Sequence, residues 1–232
     1  MGIFDEQRRR AKVYAARRYL ARLIDGLALG FITAPIWVIV CTNLERRTVV
    51  HSVVVTVEIA WRLATDGWNG ARNAAIDGAY AYWVGLVQII AVALALVVAV
   101  MTLYEWLTHA WFGRSLGKAL VGIKVISLSS RSEIATMQRA SAWQTALRAG
   151  VTTLLPGSGW VLLVVASSSL DPIIALVGAA LVLGYWIDIA GLLFLHNGRR
   201  ACFHDLVSDT IVVSANYGSH IRGAAARIGK TA

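Results

Sequence analysis

The sequence predicts an all-α membrane protein of about four transmembrane helices with both termini on the cytoplasmic side, and three observations carry that expectation. First, 57% of its 232 residues are hydrophobic and only 15% charged, where a soluble domain carries roughly a quarter charged residues. Second, the apolar residues gather in windows long enough to cross a ~30 Å hydrocarbon core at ~1.5 Å rise per residue. Third, strongly basic and charge-balanced connections alternate along the chain.

The elements follow in order. A basic segment, 1–18, opens the chain; Arg8, Arg9, Arg10 and Lys12 are candidates to meet lipid head groups. The first span covers about 19–42. An outer loop, 43–82, follows, with Val50, Val53, Val54, Val57 and Trp61 at helical spacing. These predict an amphipathic helix, lying on the outer surface or capping the bundle. The second span covers about 83–107 and holds no charge between Val87 and Met101. A basic loop, 109–150, carries Lys118, another head-group candidate. The third span, about 151–167, is short and interrupted by Pro156, Gly157 and Gly159. Such an interruption also suits a re-entrant segment. The fourth span covers about 173–195, and a basic tail, 216–232, closes the chain.

Orientation comes from loop charge. Residues 1–22 hold seven Lys or Arg, the 109–148 loop holds six against the one acid Glu133, and the tail after Asn197 holds five. The 43–82 loop balances Arg46, Arg47, Arg62 and Arg72 with Glu45, Glu58, Asp66 and Asp77. Two cytoplasmic stretches, 122–128 and 209–214, are short and β-branched, and could pair as a small two-stranded β element resting on the helix ends.

Net charge is +9. The basic residues flank apolar spans, so anionic lipid head groups are the expected partner, and no motif points to nucleic acid. Cys41 and Cys202 fall on opposite sides of the expected topology, which excludes a bond between them within one chain. No residue spacing points to a metal or cofactor. Gly113-Arg-Ser-Leu-Gly117 fits G-x-S-x-G, but a transmembrane helix precedes it where a nucleophile elbow needs a strand. The expectation is that the chain is not an enzyme.

Charged groups inside spans are costly and therefore informative. Asp25 lies about two turns into the first span, and Arg18 and Arg22 share its helical face. This set reads either as a neutralised cluster that fixes helix packing or as a cation or proton site. Glu105 ends the second span, beside Arg114 and Lys118 in sequence. Asp188, inside the fourth span, has no basic residue three or four positions away. It needs a partner on another helix, a water-filled cavity, or a proton.

Three segments in order carry a family resemblance. Arg18, Ala21, Ile24 and Asp25 open the first span. Gly113-Arg-Ser-Leu-Gly-Lys118 precedes Gly122-Ile-Lys-Val125, and His204-Asp205 precedes Thr210-Ile-Val-Val213. Together they resemble the RDD family of bacterial membrane proteins, named for one arginine and two aspartates. The resemblance implies that Arg18 and Asp25 are the first two signature residues and Asp205 the third, with Asp188 as rival. It also implies residence in the bacterial cytoplasmic membrane. It further implies a small transporter or cation–proton antiporter, and because four helices enclose little volume an oligomer is expected. The elaborated outer loop, the basic cytoplasmic face and the lack of a catalytic set point instead to an accessory subunit of a larger membrane complex. The long outer loop and arginine-rich leader depart from short members of the family.

Overall fold

A computed structural model describes residues 3–127, 140–194 and 202–214, with side chains described for all of these except 3–15, 188–194, 211 and 213–214. The elements in order are α1 (Ile3–Phe112), α2 (Leu116–Val121), β1 (Ile123–Ser127), α3 (Ala142–Ala149), a π turn (Gly150–Leu154), α4 (Leu155–Ser169), α5 (Pro172–Phe194), α6 (Phe203–Val207) and β2 (Thr210–Ser214). Two helical stretches with described side chains, Ala16–Phe112 and Ala142–Ser169, are long and apolar enough to cross a bilayer. In α5 the described apolar stretch is Pro172–Ile187.

The chain divides into two compact units. One is Met1–Ile32, Ala99–Pro156 and Leu183–Ala232; the other is Thr33–Val98 and Gly157–Val182.

In the second unit the backbone of α1 breaks at Gly67, at φ 69 and ψ −160. Glycine reaches that region without the clash a Cβ would cause. On either side, Thr48 Oγ1 meets Tyr82 Oη at 2.6 Å and His51 Nε2 meets the Gly78 carbonyl at 2.9 Å. The His51 ring also stacks on Tyr82. Both pairs are nearly symmetric about Gly67, so α1 is a hairpin of two antiparallel arms. This corrects the expected outer loop: 43–82 is not a separate helix lying on a surface but the continuation of both arms to their turn. From Ile36 to Asp66 there is neither Gly nor Pro to stop the helix. Val50, Val53, Val54, Val57 and Trp61 stay exposed on the first arm.

Trp83 Nε1 donates to the Ser167 carbonyl at 3.1 Å, fixing α4 on the second arm. Asp171 accepts from Ile173 N at 2.8 Å and starts α5, with Pro172 as its first helical residue. The expected interruption of the third span is not a break. The helix runs unbroken from Ala142 to Ser169, and the wider π turn just before Pro156 takes up the proline.

In the first unit β1 and β2 pair antiparallel, with Ile123 opposite Ser214 and Ser127 opposite Thr210. Alternate β1 residues are buried: Ile123, Val125 and Ser127. An isolated two-stranded ribbon is marginal in water. Here Ala21, Ile123, Val125, Ala140 and Val212 form one buried cluster, so a residue of α1 contributes to the core beneath the ribbon. The Ser141–Gln144 capping box starts α3, and the Gln144 amide then reaches Ser127 Oγ at 3.1 Å.

Candidate functional site

The first unit gathers the charged residues into two buried clusters around one cavity of about 270 Å³.

The first cluster is built on Asp205. It sits in the first turn of α6, where its Oδ2 accepts the Cys202 N–H at 3.3 Å, the half of a capping box that ties a helix start to itself. Arg148, from the last turn of α3, donates through Nη1 to Asp205 Oδ1 and to Thr210 Oγ1 at 3.0 Å. Arg18, from α1, donates to Asp205 Oδ2 at 3.5 Å and to Cys202 Sγ at 3.5 Å. Asp205 is fully buried and Arg18 and Arg148 nearly so. Burial alone would raise the Asp205 carboxyl. Arg148 foremost, then His204 and Arg18, reverse that and hold it well below the usual carboxylate range.

His204 Nε2 lies 3.1 Å from Arg148 Nη2 and 3.4 Å from Asp205 Oδ1. Its ring nitrogen thus stands between a guanidinium donor and a carboxylate acceptor. Cys202, His204 and Asp205 bring three potential metal-binding atoms within 4.8 Å of one another. Two guanidiniums already occupy that electron-rich face, and the cluster is a poor fit for a cation.

The second cluster is built on Asp25. Its Oδ2 accepts from Ser115 Oγ at 2.5 Å, and its Oδ1 from Gly117 N at 2.8 Å and Tyr104 Oη at 3.0 Å. Ser115 is the N-cap of α2 but makes no capping bond within its own helix. The carboxylate of α1 takes that role, beside the positive end of the α2 dipole. Gly117 allows this approach, because any Cβ there would overlap the Ala21 carbonyl oxygen and crowd Asp25. Gly117→Ala is expected to push α2 away from α1 and cost at least 1–3 kcal/mol, roughly the range for overpacking. Thermal unfolding in detergent reads this, and an unchanged midpoint would refute the close approach.

Between the clusters lies a chain of polar groups. His109 Nδ1 stands 2.6 Å from the Glu105 carbonyl, which can only accept, so Nδ1 carries the proton. Nε2 is then free to accept from Lys118 Nζ, at 2.6 Å. Burial pushes Lys118 down to about 7, with Arg148 adding repulsion and Glu105 and Asp25 opposing both. Glu105 Oε2 lies 2.6 Å from each of the Thr152 and Thr153 hydroxyls on the π turn. Arg22 Nη1 and Arg148 Nε are buried without a hydrogen-bond partner among the described residues. Both side chains line the cavity, which has room for several waters to satisfy them.

The sequence candidates are thus redistributed. Arg18 and Asp25, expected as neighbours on one helical face, belong to different clusters: Arg18 joins Asp205, and hydroxyl and amide donors hold Asp25. Glu105 lines the cavity from α1. Lys118 is corrected from a head-group contact to a buried ammonium on His109. Asp188 lies in α5, but its side chain is outside the described residues, as are those of Arg8, Arg9, Arg10 and Lys12 in α1. Sequence reading missed Tyr104, Arg148, Thr152 and Thr153. Only Arg148 had a visible signal, as a basic residue in the last turn of a capped helix.

In comparison with known proteins, the family model described as RDD family matches residues 13–209. No curated protein and no solved structure matches the chain.

Proposed function

The chain belongs to the RDD family and is a membrane protein, and from that premise we propose that it exchanges a monovalent cation for a proton through the cavity of its first unit. The proposed setting is four crossings of the bacterial cytoplasmic membrane with both termini inside, in an oligomer, since four helices enclose little volume.

One observation supports this reading most directly: Lys118, poised near neutral pH, hydrogen-bonded to His109, lines the same cavity as the carboxylate of Glu105. When Lys118 is protonated its ammonium acts on the Glu105 carboxylate in the same cavity. When it loses its proton, the neutral amine still donates to His109 Nε2, so the contact survives while the charge leaves. Glu105 Oε2 and the oxygens of Thr152 and Thr153 then offer hard oxygen ligands to a small cation. A proton on Lys118 and a cation on Glu105 thus exclude one another by charge repulsion.

The test is reconstitution of the chain into liposomes holding an imposed pH gradient and a pH-sensitive dye. Addition of sodium or potassium is expected to dissipate the gradient, with a rate that changes most steeply near pH 7. Lys118→Gln should flatten that pH dependence, and Glu105→Gln should abolish the cation response. Folded, reconstituted protein that moves no protons on cation addition would sink the proposal.

A second reading, an accessory subunit, draws support from Val57, Trp61 and Trp68, which stand 64%, 65% and 75% exposed close to the hairpin turn. Apolar groups so placed suit a partner subunit. Gentle detergent extraction that yields only a homogeneous homo-oligomer would count against this reading.

A further inference from the structure

The arms of α1 in the second unit enclose a groove of about 840 Å³ that plays no part in the exchange reading. Its deep part is apolar, with Ile36 and Val40 on one arm and Val92 and Leu96 on the other. Its far part carries Arg46 and Arg47. Ile36 and Arg47 are eleven residues apart on one helix, or ~16 Å at 1.5 Å per residue, close to the ~15 Å depth of one leaflet's hydrocarbon. The polarity profile therefore matches that of a membrane lipid, acyl chain below and head group above.

The two arginines differ from the others on this arm. Arg62 is held by Glu58 at 2.9 Å and by Asp66 at 3.1 Å. Arg46 and Arg47, although next to Glu45 in sequence, make no hydrogen bond or ion pair among the described residues. The second arm makes room for Arg47 with Gly85, where any side chain would overlap the guanidinium. Two uncompensated guanidiniums at the mouth of an apolar channel call for an anion with a hydrocarbon tail.

We propose that this groove binds one anionic phospholipid, its phosphate on Arg46 and Arg47 and an acyl chain along Ile36, Val40, Val92 and Leu96. The inference rests on residues 19–42 and 83–107 crossing the bilayer, and not on cation or proton movement.

The experiment is native mass spectrometry of the full chain released from nanodiscs of phosphatidylcholine doped with phosphatidylglycerol. Wild-type protein is expected to retain one phosphatidylglycerol in preference to phosphatidylcholine. Arg46→Gln with Arg47→Gln should weaken that retention roughly 30-fold, at about one order-unity contribution per basic residue. Both arginines are exposed on a helix, so the double variant is expected to fold. Val92→Trp, which fills the groove and leaves the arginines in place, should also lose the lipid. Excess inorganic phosphate should fail to displace it. Equal retention of both lipids, displacement by phosphate alone, or unchanged retention in the double variant would each overturn the proposal. So would a lipid-free wild-type dimer that Val92→Trp converts to monomer, since a second copy of the chain would then be the occupant.

Discussion

Asp205→Asn is expected to destabilise the protein by about 3–5 kcal/mol, the cost of removing one partner from a buried ion pair. The variant leaves Arg18 and Arg148 facing a neutral amide in a site where Asp205 is fully buried. Its amide group would also point a donor at one of two guanidiniums that have nothing to accept with. The pH dependence has a definite sign. The folded carboxyl lies well below its unfolded value near 4, so its stabilisation is fully present above that value. It is lost as pH falls toward the folded one. Wild type and Asp205→Asn should therefore differ by a constant amount at neutral pH and converge in acid. Thermal unfolding in detergent across that range measures both, and parallel curves down to low pH would show that the carboxylate is not the group the arginines hold.

Asp25→Ala is expected to cost about 3–5 kcal/mol, because it strands the Ser115 hydroxyl, the Gly117 amide and the Tyr104 hydroxyl at once. Helix α2 has only six residues and no capping bond of its own. Hydrogen exchange at its amides should accelerate more than elsewhere. Asp25→Asn is expected to be far milder, near 1 kcal/mol, since its carbonyl can still accept from Gly117 and Tyr104 while Ser115 rotates to accept. Equal losses in both variants would argue that the negative charge matters more than the cap.

Sequence reasoning found the residues of these clusters more readily than their pairing. Arg18, Asp25 and Asp205 stood out as charges beside or within apolar segments. Helical periodicity, however, sees only neighbours three, four or seven positions away, and so joined Arg18 to Asp25. The structure joins Arg18 to Asp205, 187 residues on, because α6 and α3 bring a complementary pair of buried groups that no local pattern encodes. The strands were visible because β-branched residues cluster at 123–127 and 210–213. The hairpin is not: charges in 43–82 mask it from any hydropathy window, and although the spacing of Val50 to Trp61 and the absence of Gly and Pro from 36 to 66 both indicate helix, neither shows that it continues both arms of α1. The cavity-lining hydroxyls of Thr152 and Thr153 carry no signal at all, since a π turn leaves no mark in composition.

The distance in sequence between Arg18 and Asp205 also sets a clock on biogenesis. At roughly 5–20 residues per second of synthesis, the arginine emerges some 10–40 s before the aspartate that neutralises it. Throughout that interval the Asp205 carboxylate of this cluster is still untranslated, and Arg148 waits for it over the last 57 residues. Closure of this buried cluster therefore waits for the segment around Asp205. A chain that stops short of Asp205 lacks the carboxylate on which Arg18 and Arg148 converge, however well its apolar helices have formed.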